Sequence, residues 1–326
     1  MKSLRTLRIR TLFVAAIACL SLLVASCGDS SYNGPTGSDD DNPSGSTSGS
    51  TSDKNNKNAN VATTDRAVLR IEFPALRKTG HQQVIVHRVS DNTTYDNDRV
   101  NFCTEWDCDL KSQRWSCYQL HKGFTGNYSR VVKTYPEDPA IASANRYDDQ
   151  IYSSGFEHGH ICPSADRAYS YDANYQTFYM SNMQPQYHAF NGYDEKNNNR
   201  KGLWLRMEQQ LQQWAKALGT NDTIYVCKGG TIDDENNIIK RINNKLIVPK
   251  YFYMAILRKT QFGYAAMAFW SDQTTSYREN ETLLSKVITI DELEKKTGID
   301  FFCNLPDDIE NNVEKTFNQA SWDGLR

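Results

Sequence analysis

Two stretches decide how this chain is read: residues 155–167, GFEHGHICPSADR, and residues 177–210, TFYMSNMQPQYHAFNGYDEKNNNRKGLWLRMEQQ. His158 and His160 stand one residue apart, beside Glu157, in a sequence with only six histidines. Imidazole has an unperturbed pKa of about 6.5, which suits it to take a proton from water near neutrality. A lone histidine would read as structural or as surface. What gives His160 weight is its ordered company of intact polar motifs and a helix downstream.

That helix is legible. In residues 199–219, NRKGLWLRMEQQLQQWAKALG, Leu203, Met207, Leu211 and Trp214 recur on one face, and Gly219 offers a stop. Trp204 and Glu208 are four residues apart and share a face. Several runs rich in β-branched and aromatic residues read as strands: AVLRIEF (67–73), QQVIVHRV (82–89), RWSCYQL (114–120), TIYVCKG (223–229), KLIVPKYFYMAILRK (245–259) and FGYAAMAFW (262–270). The last two, joined by TQFG, predict a hairpin. TIDELEKKTG (289–298) has a capping box, Thr289 with Glu292, and ends on glycine, and DDIENNVEKTF (307–317) predicts another short helix. The order of elements predicts an α+β fold with a mixed, mainly antiparallel central sheet flanked by helices. The chain has no internal repeat and no phosphate-binding glycine loop.

The N-terminal end divides the chain. MKSLRTLRIR is basic, and the apolar run TLFVAAIACLSLLVAS has the length of a signal-peptide core rather than of a membrane span. It leads into Val24-Ala25-Ser26-Cys27, which resembles the lipobox of bacterial lipoproteins. Residues 1–27 are therefore expected to be a lipoprotein signal with Cys27 as the lipidation site. Residues 28–64, almost devoid of apolar side chains, are expected to be a disordered tether, and residues 65–326 the folded domain. The expected location is the outer membrane or cell surface, with periplasmic or secreted as the alternative.

The formal charge is −2, and removing Lys2, Arg5, Arg8 and Arg10 with the signal takes it from −2 to −6. That balance argues weakly against tight non-specific DNA binding and leaves room for a local basic cleft. Six cysteines lie beyond the signal, at 103, 108, 117, 162, 227 and 303. In an exported chain these make disulfides plausible, Cys103 with Cys108 or Cys117 and Cys162 with Cys227 among them, and no Cys-x2-Cys pair points to structural zinc.

The motifs at 155–167, 181–186 and 202–210, with IYVCKGG and IVPKYFY beyond them, occur in the order found in DNA/RNA non-specific endonucleases. From about residue 80 to 315 the sequence resembles that family, the sugar-non-specific nucleases with a ββα-metal active site. The resemblance implies a metal-dependent endonuclease that hydrolyses phosphodiester bonds of DNA and RNA without strong sequence specificity.

The family's motif Asp-Arg-Gly-His corresponds here to Glu157, His158, Gly159 and His160. His160 would be the general base. Mg²⁺, or Mn²⁺ or another divalent ion in its place, would be held by one asparagine amide oxygen and by waters. Family spacing counted from Pro185-Gln186 selects Asn191, and counted back from Trp204 it falls beside Asn199. Asn197, Asn198 and Asn199 read equally as a polar loop and helix cap. Glu208 takes the family's acidic position and would meet the metal through water, or else face solvent. Arg167 and Arg206 are candidates to neutralise phosphate, with surface ion pairs as their ordinary reading. His158 departs from the motif's arginine, a permanent cation, and predicts an enzyme that is impaired or displaced toward lower pH. The implied partners are DNA and RNA as substrate and a membrane through the lipid, with no organic cofactor. The alternatives are a catalytically impaired nuclease-fold surface protein acting as a binding module, and a surface glycan- or nutrient-binding lipoprotein.

Overall fold

The run 245–259 is cut in two at Pro249, which lacks the N–H a central strand must donate. Leu246–Pro249 joins a small ribbon, while Tyr251–Thr260 enters the main sheet. The computed structural model describes residues 55–90, 98–122, 128, 130, 132–152, 155–194, 196 and 200–325. The expected signal, Cys27 and Asn199 lie outside the described residues.

In chain order the first three strands are β1 (Gln82–Arg88), β2 (Val100–Asp107) and β3 (Ser112–His121). The middle of the chain holds β4 (Glu157–His160), α1 (Tyr171–Gln176), β5 (Met183–Gln186), α2 (His188–Asn191), β6 (Tyr193–Asp194), β7 (Arg200–Lys201) and α3 (Leu203–Lys216). Then come β8 (Thr223–Gly230), β9 (Ile238–Ile242), β10 (Leu246–Pro249), β11 (Tyr251–Thr260), β12 (Gly263–Asp272), β13 (Val287–Ile288), α4 (Ile290–Thr297) and α5 (Asp307–Lys315). The main sheet has seven strands in the order β1-β2-β3-β8-β11-β12-β13, each antiparallel to its neighbours. The expected α+β class and the β11–β12 hairpin, turning between Thr260 and Gly263, are both present. So is the capping box on α4, closed by Gly298 in the left-handed region at φ 66°.

Both faces of this sheet are covered. One carries Phe102, Tyr118, Ile224, Val226, Met254 and Ile256 against Leu203, Trp204, Met207, Leu211 and Trp214 of α3. The other carries Cys117, Tyr225, Cys227, Tyr253 and Ala255 against Ile290 and Leu293 of α4 and Val313 of α5. Strand β8 serves both cores by the two-residue alternation of side chains.

Three expectations are corrected. The first three residues of AVLRIEF belong to a 3₁₀ turn, Arg66–Leu69, capped by Asp65, and not to a strand. The expected tether overruns the folded body, because its last residues are tied down. Asn56 Nδ2 donates to the Leu305 carbonyl at 2.6 Å, and Asn60 Nδ2 donates to the Val68 and Pro74 carbonyls at 3.1 and 3.0 Å. Polar side chains here gain order through backbone acceptors rather than apolar burial. The six cysteines are all buried free thiols, with Cys103 directly across from Cys117 and Cys117 across from Cys227.

The contrast along α3 is measurable. Leu211 is fully buried and Gln213 is exposed. Leu211→Ala is expected to lower unfolding free energy by about 2–5 kcal/mol in urea titration, and Gln213→Ala to change it by less than about 0.5 kcal/mol. Equal effects would contradict this packing.

Candidate active site

The stretch at 155–167 becomes strand β4, and the SNMQPQ motif becomes its antiparallel partner β5. In this pair Glu157 faces Gln186, His158 faces Pro185, Gly159 faces Gln184 and His160 faces Met183. Gly159 cannot carry a side chain, since a Cβ there would lie 2.3 Å from the Gln186 side chain. The hairpin leads through α2 to α3, and Gly202 lets the two helices close, its missing Cβ falling 2.1 Å from the Phe190 carbonyl oxygen. Trp204 of α3 then donates its indole N–H to the His160 carbonyl at 3.3 Å. Two strands and a helix thus hold His160 by its backbone and leave its ring Nε2 without a hydrogen-bond partner.

The His160 ring packs edge-on against Phe178 at 5.0 Å, and its Nε2 is buried without a hydrogen-bond partner. Burial, reinforced by the Arg130 guanidinium, pushes its pKa down to about 3. The ring is therefore a neutral base at neutral pH. His158 lies between two phenol rings, Tyr135 and Tyr152, each stacked at 3.8 Å. Burial drops its pKa to about 4, so it is no cation near neutrality. The acid-displaced profile expected from an imidazolium at this position does not fit a ring held neutral.

Arg130, which sequence reasoning missed, supplies positive charge. Its guanidinium lies 5.0 Å from the centre of the Phe178 ring and 5.5 Å from that of Tyr135, the rings that pack on the two histidines, and it donates to the Tyr135 hydroxyl at 2.7 Å. Nothing in the local pattern of SRVVKTY marks it, because the two rings it meets are 5 and 48 residues away. Arg167, by contrast, is 1 % exposed and inside the core: it donates to the carbonyls of Asp166 and Gln119 and lies over the Tyr118 ring at 4.5 Å. Its expected phosphate role is corrected, because a guanidinium packed there does not meet substrate. Arg206 ties α3 to the carbonyls of Arg278 and Glu281.

Glu208 does not face solvent. Its carboxylate takes a 2.8 Å ion pair from Lys228, whose side chain is fully buried and whose ammonium sits 4.4 Å from the centre of the Trp204 ring. Burial raises the Glu208 carboxyl and the ammonium opposes that rise. Lys228 is the second residue missed; in TIYVCKGG it reads as an ordinary polar strand position.

Asn191 ends α2 and donates Nδ2 to Glu157 Oε2 at 2.8 Å, while His188 Nδ1 closes on the other oxygen of the same carboxylate. It therefore meets β4 at Glu157, three residues before His160. With its nitrogen committed, its amide oxygen is the atom left to offer an ion, beside an anionic carboxylate. Oxygen donors of this kind fit a hard divalent cation.

Nucleases of the ββα-metal class are built in this way, and fold and site together put the chain in that class. It belongs to the DNA/RNA non-specific endonuclease family, whose profile matches residues 84–308. A nuclease of Nostoc sp. is 26% identical over 208 residues, 61% of this chain and 70% of that one. Mitochondrial endonuclease G of Bos taurus is 23% identical, over 64% of this chain and 69% of its own, and a nuclease of Serratia marcescens is 23% identical, over 63% and 73%. In fold the chain is similar to a chain of the EndoG/EndoGI complex, with a TM-score of 0.56 at 19% identity, over 75% of this chain and 94% of that one. The protein is a hydrolase acting on nucleic acids, from a family of divalent-metal-dependent nucleases.

Both histidines have pKa values below their unfolded value. The stability they contribute is thus fully present above about pH 6.5 and is lost as pH falls toward 4. In an NMR titration the ring resonances of His158 and His160 should stay put between pH 8 and 5.5; a midpoint near 6.5 for either would refute the burial assigned to it.

Proposed function

We propose that this protein is an Mg²⁺-dependent endonuclease cutting DNA and RNA, with His160 as general base and Asn191 as the direct protein ligand of the ion; Mn²⁺ or another divalent ion could substitute. The observation that carries the reading is the neutral, unpartnered Nε2 of His160, held by its backbone at the strand–helix junction. A buried nitrogen without a partner is costly unless it has chemical work to do.

In this reading His160 accepts the proton of an attacking water as the phosphorus–oxygen bond to water forms and the bond to the leaving oxygen breaks. The divalent ion, when bound, would polarise the phosphodiester and stabilise the leaving oxygen. Glu157 takes the Asn191 amide nitrogen, which leaves the amide oxygen for the ion. Glu208, already neutralised by Lys228, suits contact through water rather than direct ligation. Arg130 is the cation offered to a phosphate approaching the histidines, in place of the arginine missing at position 158.

His160→Ala should lower the rate of plasmid cleavage by about 10²–10⁴-fold, and EDTA should abolish it. Asn191→Ala should raise the Mg²⁺ concentration needed for half-maximal cleavage at least tenfold. If His160→Ala cuts as fast as the parent protein, the assignment falls. A second reading, an impaired nuclease fold serving as a binding module, is favoured by His158 alone. Absence of metal-dependent cleavage in well-folded protein would select it.

We also propose that the chain is exported and lipid-anchored at Cys27, facing the cell exterior, a reading supported by the signal-like first residues and the lipobox-like VASC. Cys27→Ser should move the protein from the membrane fraction to the soluble fraction; unchanged fractionation would overturn the anchor.

A further inference from the structure

Away from the active site, five carboxylates converge where α4, α5 and the loop between them meet the N-terminal arm. Asp291 and Glu294 share a face of α4, Glu310 and Glu314 share a face of α5, and Asp300 lies between the helices. Oxygens of Asp291, Glu294 and Glu314 lie within 4.8 Å of one another, as do those of Asp300, Glu310 and Glu314. Glu310 is 3% exposed and Glu314 7%.

Such a cluster needs positive charge, and among the described residues no Lys, Arg or His forms an ion pair with any of the five. The donors present are neutral. Asn58 Nδ2 reaches Asp300 Oδ2 at 3.2 Å and Glu310 Oε1 at 2.9 Å, and the Phe301 N–H reaches Glu294 Oε1 at 2.8 Å. Glu314 belongs to both groups, and its Oε1 is buried with no hydrogen-bond partner. Burial, compounded by neighbouring carboxylates, pushes Glu294 and Glu310 up to about 7 and Glu314 up to about 9. Stacking uncompensated carboxylates in a covered site is a large cost that either protons or a cation must relieve.

We propose that Asp291, Glu294, Asp300, Glu310 and Glu314 form a calcium site centred on Glu314, separate from the catalytic one. Ca²⁺ takes six to eight oxygen ligands at about 2.3–2.6 Å in irregular geometry, so two oxygens sharing it lie no more than about 5 Å apart. Within each triad the spacing meets that limit, Glu314 being common to both, and every side chain in the cluster offers oxygen. Mg²⁺ demands a tighter octahedron and keeps its waters, and Zn²⁺ prefers nitrogen and sulfur. A bound ion would join α4 to α5 and, through Asn58, to the arm at 55–60, so its effect would be on stability.

Thermal unfolding of the purified protein at pH 7.5 tests this. Adding 1 mM Ca²⁺ to chelator-treated protein should raise Tm by about 5 °C or more. The rise should persist in Asn191→Ala and disappear in Glu314→Gln, with Glu294→Gln weakening it. Without calcium, these carboxyls have raised folded-state pKa values, so the stability they give is present below about 4.5 and lost as pH climbs through 7 to 9. Tm in chelator should therefore fall from pH 5 to pH 9, and calcium should restore it. No calcium-dependent rise at pH 7.5 would mean that protons alone relieve the cluster and would overturn the site. A rise that survives both Glu314→Gln and Glu294→Gln, or one abolished by Asn191→Ala, would overturn it as well.

Discussion

The buried pair between Lys228 and Glu208 is the constraint on which the active-site end of the molecule depends. Lys228 stands on the middle strand of the seven-stranded sheet, on the face that otherwise presents Ile224 and Val226. Taking an ammonium out of water costs several kcal/mol, and it is tolerable only with a partner at good geometry. Glu208 provides one at 2.8 Å, and the face of Trp204 provides a second at 4.4 Å. This satisfaction fixes the rotation and height of α3 over the sheet. The same Trp204 holds the carbonyl of His160, so the position of that ring is set by charge pairing in the core beneath it. Lys228 also adds to the positive field that keeps the His160 ring unprotonated.

Division of labour follows from that field. A histidine that must accept a proton gains from being neutral, and a group that must meet phosphate gains from permanent charge. In the motif as the family writes it, arginine and histidine stand two residues apart on one strand. Here the strand keeps two imidazoles, the first clamped between Tyr135 and Tyr152, and the guanidinium arrives from Arg130 on a different segment. Tyr135 touches all three groups, so the aromatic layer, not the strand, sets the distance between the His160 ring and the Arg130 guanidinium.

The parts of the fold that local pattern specifies were legible in the sequence. The α3 stripe, the hairpin at Thr260–Gly263 and the Thr289–Glu292 capping box are each decided by residues a few positions apart, and each is present. Strand β2 was not legible: VNFCTEWD is buried throughout, and its polar members are satisfied from other strands, Thr104 by Ser116 and Glu105 by Arg114. The AVLRIEF run has strand composition, yet Asp65 caps its first residues into a 3₁₀ turn. The same boundary governs the site. His160, Asn191 and Glu208 are marked as candidates by motif order, whereas Arg130 and Lys228 are brought beside them by contacts that no spacing records. Arg167, chosen for its charge, turned out to spend that charge on core carbonyls.

Buried carboxylates are handled in opposite ways at two places in the molecule. On the α3 face, carboxylates are matched: Glu208 by Lys228, and Asp166 by the Tyr118 hydroxyl and the Gln212 amide. On the face covered by α4 and α5, Glu294, Glu310 and Glu314 accumulate without a cation among the described residues. A sequence whose sheet carries a fully buried lysine for one glutamate had the means to place another, and Lys295 and Lys296 lie on α4 itself. Lys296 instead extends over the Trp270 ring, at 5.4 Å. Basic side chains within reach are thus directed elsewhere, while the arm at 55–60 brings only a neutral amide to the carboxylates. Charge left unmatched at one place in an otherwise matched interior is accounted for most simply by a charge that the chain does not itself encode.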